Sequence, residues 1–284
     1  MIEIRQALQE ATQALSNEGV DSPRLDAELL LADTVAANRA WLLAHPDRRL
    51  TPKELTRFRD LVARRAAREP LAYILGHREF FGLDLLVDAR VLVPRPETEL
   101  LVERALAWLR QRHRPKAARI ADVGAGSGAI AVALAVHLPT AVVYALDASP
   151  GPLAVTGENA RRHGVEARVH CLQGDLLAPL PVVVDLVAAN LPYVATHEWS
   201  GLAPEIREHE PRAALDGGTD GLEIIGRLLR TAGAHLAKEG AIVVEIGAGQ
   251  GAAATALAKE QFPGALVELQ RDYAGLDRLA VIVI

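Results

Sequence analysis

From Glu97 onward the chain alternates short apolar runs with amphipathic stretches, and two of those runs stop in motifs that suit only one edge of a wound α/β sheet. The run Val182-Val183-Val184-Asp185-Leu186-Val187-Ala188-Ala189 ends in Asn190-Leu191-Pro192-Tyr193. A near-continuous apolar run reads as a parallel strand buried on both faces, and proline stops it because it has no N–H for the ladder. Earlier, an apolar run ends in Asp122-Val123-Gly124-Ala125-Gly126-Ser127-Gly128 and opens a helix. Open α/β sheets bind ligands outside the carboxyl ends of their strands, so both motifs belong to one pocket. An amide, two turn-restricted carbonyls and an aromatic ring at that edge suit a planar group bearing an NH2.

The alternation predicts strands at about 119–123, 142–147, 168–172, 184–189, 241–246, 265–271 and 278–284, with helices near 97–113, 128–137, 151–163, 219–237 and 250–260. The last two strands are separated only by residues 272–277, so they pair as a hairpin and one runs against the rest. The fold class is therefore α/β, a mostly parallel Rossmann-like sheet with a reversed terminal strand. A small all-helical domain precedes it, with helices from Ile2 to about Asn17, Ser22 to about Ala36 and Thr51 to about Arg68. The third opens on Thr51-Pro52-Lys53-Glu54, a capping box with proline at the first helical position. Leu8 and Leu15 on the first helix and Leu25, Leu29 and Leu30 on the second are the expected packing stripes. Runs at Phe80–Val87 and Val91–Val93 suggest a hairpin joining the two parts. The expected division is a helical domain at 1–72, a linker at 73–96 and the α/β domain at 97–284.

No apolar stretch is long enough to span a bilayer and no leader pattern is seen at the N-terminus, so the expected compartment is the cytoplasm, away from membrane. Cys171 is the single cysteine; it is expected to be a small buried apolar residue, and no metal is expected. The formal charge of −5 gives no general attraction to phosphate, so direct nucleic-acid binding is not expected. Arg57, Arg59, Arg64, Arg65 and Arg68 make the densest basic stretch, read as a solvated helix face. A monomer is expected.

Gly124, Gly126 and Gly128 let a ligand approach backbone that side chains would shield, with Ala125 and Ser127 between them. Asp147 tips the next strand, where a carboxylate can accept from both ribose hydroxyls. Together they indicate an adenosine-containing cofactor. Asp122 just before the loop would repel a pyrophosphate and suits an ammonium group, which favours S-adenosylmethionine over NAD. Asp175, followed by Leu176, ends the third strand and is read either as an acceptor for the adenine amino group or as a turn aspartate. A second cluster, Glu245-Ile246-Gly247-Ala248-Gly249-Gln250-Gly251, has no acid-tipped strand after it and is read as a tight strand-to-helix turn.

Methylating an amide or aromatic NH2 must overcome delocalisation of the nitrogen lone pair. The Asn190 side-chain oxygen and the Leu191 carbonyl, held behind Pro192, would grip the two N–H bonds, and Tyr193 would stack on the flat group. No strong base is needed, so His197 is read as structural. At this point the sequence closely resembles the release factor glutamine methyltransferases. The shared motifs are Tyr73–Gly76 with Glu79–Gly82, Val93-Pro94-Arg95-Pro96-Glu97-Thr98-Glu99, the glycine loop, Asn190–Tyr193, and Glu210-Pro211 with Leu215–Gly218 and Asp220–Leu222. The resemblance implies an S-adenosylmethionine-dependent methyltransferase sheet, S-adenosylhomocysteine as product, and class I peptide chain release factors as protein substrate. It further implies that Arg95 and Glu97 lie against the active site with Asn190, Leu191, Pro192 and Tyr193, and that Asn190 also meets the cofactor. The family usually carries Asn-Pro-Pro-Tyr; the leucine at 191 keeps the backbone carbonyl. The same spelling is similar to adenine N6 methyltransferases, which would need a basic surface to hold the strand.

Overall fold

The computed structural model describes residues 2–111 and 118–284. It divides into two compact units, one running to Gly76 and including Ala203–His209, the other formed by His77–Leu202 and Glu210–Ile284.

The first unit contains α1 (Ile4–Asn17), α2 (Pro23–Thr34), α3 (Arg39–Ala44), α4 (Pro52–Ala66) and α5 (Leu71–Leu75). Two short helices thus join the three expected from sequence. Asn38 caps α3 by accepting from the Trp41 amide, and α5 closes on Gly76 in the left-handed region. The capping box forms: Thr51 Oγ1 accepts from the Glu54 amide, and Glu54 accepts from the Thr51 amide at 2.8 Å. The core gathers Ile4, Leu8, Leu15, Leu30, Leu31, Leu42 and Phe58. Leu25 is exposed instead; α2 turns Ala27, Leu30 and Leu31 inward together with Asp26.

Asp26 accounts for a second departure. The arginines of α4 and its C-terminal flank are not a merely solvated face, because Arg65 is buried and donates to Asp26 Oδ2 at 2.7 Å and to Glu205 at 3.0 Å. Arg68 meets the same Glu205 at 2.6 Å, Arg57 meets Asp33 at 2.8 Å and Arg64 meets Glu69 at 2.5 Å. A buried guanidinium is tolerable only where carboxylates take its hydrogens.

The second unit opens with β1 (His77–Phe80) and β2 (Leu83–Leu86), an antiparallel hairpin. Its turn falls inside the run read as one strand, because Phe81 (φ 52°) and Gly82 (φ 75°) both take left-handed conformations and make a two-residue turn. Then follow α6 (Thr98–Gln111), β3 (Arg119–Val123), α7 (Ala129–His137), β4 (Val142–Asp147), α8 (Pro150–Arg162), β5 (Val169–Gln173) and β6 (Val184–Ala189). The expected helix end at residues 112–113 lies outside the described residues. After α9 (Pro204–His209) come α10 (Glu223–Ala232), β7 (Leu236–Glu245), α11 (Gly251–Gln261), β8 (Leu266–Arg271) and β9 (Asp277–Val283). The helix expected at 219–237 starts later because Gly218 and Gly221 hold left-handed conformations, and it stops earlier because β7 already begins at Leu236.

The sheet order is β5-β4-β3-β6-β7-β9-β8, with β9 antiparallel to both neighbours and the other strands parallel in direction. Alternate residues feed two cores. Leu186 and Ala188 of β6 join Leu101, Val102 and Leu134 on one face, while Val187 and Ala189 join Ile225, Leu228 and Ala254 on the other. Helices therefore cover both faces, as a parallel sheet requires. Cys171 lies on the edge strand β5 and is exposed, because one side of that strand has no neighbour to bury it. No helix among the described residues is long and apolar enough to cross a membrane.

The arginine pairs make a contrast that urea denaturation can read. Arg65→Ala leaves Asp26 buried without its partner and is expected to cost about 3–5 kcal/mol. Arg57→Ala removes an exposed pair and is expected to cost under about 1 kcal/mol. Equal costs would contradict the placement.

Candidate active site

The strand order reverses direction about β3, whose neighbours are β4 on one side and β6 on the other. Val123 pairs with Ala189, so the residues that follow, Gly124 and Asn190, leave the sheet side by side. A cavity of about 330 Å³ opens here, within the range of small-molecule sites. Its walls include Gly124, Ala125, Gly126 and Ser127; Asp147; Asp175 and Leu176; Asn190, Leu191 and Pro192; and Arg95 and Thr98.

The glycine loop is held by its own backbone. The Gly124 and Ala125 amides donate to the Leu146 carbonyl at 2.8 and 2.9 Å, and the Gly126 amide donates to Asp147 Oδ2 at 3.1 Å. All three glycines have positive φ, and a Cβ on Gly128 would lie 2.8 Å from Thr156 Cγ2, so this position admits no side chain. Buried Asn159 bonds the Ser127 carbonyl at 2.8 Å and both backbone groups of Leu86, linking the loop to β2. A Cβ on Gly124 would stand 3.0 Å from Leu191 Cδ2, so the leucine packs directly over the loop. That contact gives the side chain at 191 a role that its carbonyl does not need.

Asp147 is half-buried and its second oxygen accepts from the Ser149 amide at 2.9 Å, which orients the carboxylate at the strand tip. Asp122 does not line the cavity and has no exposed surface. Its Oδ2 accepts from the Ala131 amide at 3.0 Å, while Oδ1 is buried with no hydrogen-bond partner. Burial, with the Asp147 charge adding to it, pushes this carboxyl up to about 7. An orphaned buried acid behind a glycine cradle fits a cofactor carrying a positive charge. Asp175 is exposed and paired with Arg227 at 2.5 Å, both on the cavity wall.

The acceptor side is organised by Thr98 and Glu245, to which the sequence alone assigns no role there. Asn190 Nδ2 donates to Thr98 Oγ1 at 3.0 Å, and the Thr98 hydroxyl donates to Glu245 Oε2 at 2.7 Å. The other oxygen, Oε1, accepts from the Tyr193 hydroxyl at 3.1 Å. Burial raises the Glu245 carboxyl above its ordinary value, and burial followed by the Glu245 charge raises the Tyr193 phenol. Tyr193 is half-buried and is not part of the cavity wall, so its ring is anchored through its hydroxyl. Arg95 does line the cavity, held at 2.6 Å by buried Glu210, whereas Glu97 is exposed and lies off the wall. Within that signature Thr98 is the side chain tied to the acceptor motif. The glycine-rich turn after β7 is indeed a strand-to-helix turn; Gln250 accepts from the Gly247 amide and donates to the Tyr193 carbonyl at 2.9 Å. The signal for Glu245 is an acid closing the apolar run Ala241–Val244 at the carboxyl edge. His197 is exposed.

Fold and pocket define a methyltransferase: residues 98–219 match the methyltransferase small domain, and residues 6–76 match the PrmC N-terminal domain. Among solved structures, the hMettl16 catalytic domain bound to an RNA hairpin is 16% identical, with a TM-score of 0.55 over 78% of this chain and 81% of that one. A methyltransferase from Pyrococcus furiosus is 18% identical, with a TM-score of 0.50 over 78% of this chain and 95% of that one. These likenesses concern the fold. The release factor glutamine methyltransferase of Moorella thermoacetica is 46% identical over 277 residues, covering 97% of this chain and 96% of that protein. Those of Geobacter sulfurreducens and Bacillus anthracis are 46% and 34% identical, over 87% and 97% of this chain and 85% and 97% of theirs. The chain belongs to the release factor glutamine methyltransferase family.

Asp122 yields a pH prediction. Its folded-state value of about 7 stands above the ordinary 3.8, so the native state holds the proton more tightly than the unfolded chain. The stabilisation this brings is complete below the ordinary value and lost as pH rises through the folded one. The stability of the wild type relative to Asp122→Asn, by chemical denaturation without ligand, is therefore expected to fall between about pH 4 and 7 and to flatten above. A flat difference throughout would contradict the burial argument.

Proposed function

We propose that this protein transfers a methyl group from S-adenosylmethionine to the side-chain amide nitrogen of the glutamine in the Gly-Gly-Gln loop of class I peptide chain release factors. The observation that carries the reading is the placement of Asn190 at the tip of β6, beside the glycine loop at the tip of β3, with its amide nitrogen already engaged by Thr98. Oδ1 is then the acceptor this side chain offers to an incoming carboxamide N–H, and the Leu191 carbonyl offers a second. The names and full-length coverage of the relatives support the same substrate.

On this reading the backbone of Gly124–Gly128 and the Asp147 carboxylate hold the cofactor's sugar and chain, Asp122 compensates its ammonium group, and Asp175-Leu176 border the adenine. Bound there, S-adenosylmethionine would supply an electrophilic methyl carbon to the glutamine nitrogen, with the C–S electron pair left on sulfur and the nitrogen's proton released to water. Asn190 and Leu191 do the orienting, holding the two N–H bonds so that the lone pair is directed out of the amide plane. Positioning of this kind lowers a barrier by pre-arranging the reactants. Residues 1–72 would then recognise the release factor, with 73–96 as linker, in a cytoplasmic monomer. The arginines of α4 are already paired with carboxylates, which counts against a strand-binding surface.

Mass spectrometry of a release factor incubated with protein and cofactor is expected to show one added methyl on the loop glutamine and none when that glutamine is alanine. Asn190→Ala is expected to lower kcat on the order of a hundredfold, as loss of one preorganised polar contact does, with cofactor affinity nearly intact. Equal labelling of both release factors would overturn the substrate, and unchanged turnover of the variant would overturn the role of Asn190.

A further inference from the structure

The path from Asn190 to Glu245 has a direction. A carboxylate oxygen only accepts, so the Thr98 hydroxyl gives its hydrogen to Glu245 Oε2 at 2.7 Å and turns its lone pairs toward Asn190. The atom that meets them at 3.0 Å is Nδ2, the donor end of the amide. A reversed amide would set two acceptors against each other there, and would offer an NH2 to a substrate that also brings an NH2. The two ends of an asparagine amide are nearly identical in shape, so packing alone does not choose between them; hydrogen bonds do. Among the described residues, the choice at Asn190 is made by one hydroxyl and the buried acid behind it.

Glu245 is well placed to make that choice. It ends β7, the strand next to β6, and its two oxygens serve the two ends of the motif, Oε2 through Thr98 to Asn190 and Oε1 directly to Tyr193. We propose that Glu245, acting through Thr98, is a positioning residue that fixes the Asn190 amide with its oxygen toward the acceptor carboxamide. The inference rests on the proposed transfer to an amide nitrogen. Burial drives the Glu245 carboxyl upward and Glu97 adds to this, while the Thr98 and Tyr193 hydrogen bonds and the Arg278 charge oppose it. Even the neutral acid keeps an acceptor oxygen for Thr98, so the polarity of the path survives protonation at Oε1.

The test compares two substitutions at one position, one isosteric with threonine and one that keeps its hydroxyl. Thr98→Val keeps the volume and removes the hydroxyl; Thr98→Ser keeps the hydroxyl. With release factor and cofactor both saturating, Thr98→Val is expected to lower kcat about 10–100-fold through misplacement of the acceptor, with little change in KM for the cofactor. Thr98→Ser is expected to recover most of the loss. Glu245→Met, which leaves Thr98 no acceptor, is expected to lower kcat similarly, and the double variant Thr98→Val/Glu245→Met to be no slower than the worse single, because both act on one path. A readout without turnover is the pair of side-chain amide resonances of Asn190 in the free protein, expected to move toward solvent values in Thr98→Val and to stay in Thr98→Ser. Wild-type kcat in Thr98→Val, equal impairment in Thr98→Ser, or additive losses in the double variant would overturn the proposal. A wild type that leaves release factor unmethylated would instead overturn the reaction assignment, while the amide resonances would still report on Thr98.

Discussion

The parallel pairing of β3 with β6 is the constraint from which the site follows. With Val123 opposite Ala189, the chain leaves the sheet at Gly124 and at Asn190 at the same height. The two loops are so close that a Cβ on Gly124 would come within 3.3 Å of the Asn190 carbonyl. One loop is built of backbone that a cofactor can approach, and the other presents an amide, so donor and acceptor need no separate alignment. The glycines are the condition for this approach: side chains at 124 or 128 would meet Leu191 or Thr156 before any ligand entered.

Three acids near this edge are buried, and their surroundings differ in a way that matches different tasks. Glu210 is paired with Arg95 and also accepts from the Val93 amide at 3.3 Å, so its charge is locally answered. Glu245 receives two hydroxyls and serves as a structural acceptor. Asp122 receives only one backbone hydrogen and keeps one oxygen unpartnered, so desolvation wins and its proton is held to about 7. An acid left short of partners in a pocket wall's supporting layer is costly to the fold alone and repaid when a cation binds nearby. The fold thus concentrates its electrostatic cost where the cofactor is proposed to lie.

The sheet, its reversed strand and the two loops at its carboxyl edge were legible because each depends on residues adjacent in sequence: apolar runs, glycines and a proline. The capping box at Thr51 was legible for the same reason. What escaped was pairing through space. Thr98 and Glu245 are separated by 147 residues and meet only because α6 and β7 pack together. Arg65 looked like a surface residue because one partner, Asp26, precedes it by 39 residues and the other, Glu205, follows by 140. Cys171 sits in a strand-like run, which suggests burial, yet that run is the edge strand β5 and leaves it exposed, and local sequence does not state a strand's place in the sheet. Glu97 and Thr98 show the limit at its finest: a signature places a segment against the site, but helix geometry decides which side chain faces it.

A crystal structure with S-adenosylhomocysteine and a glutamine-bearing Gly-Gly-Gln peptide tests the central claim most directly. The account predicts the glutamine amide nitrogen within about 3 Å of both Asn190 Oδ1 and the Leu191 carbonyl, with Asn190 Nδ2 still on Thr98. Density showing the Asn190 amide turned so that its nitrogen faces the peptide, or the glutamine seated elsewhere, would contradict it.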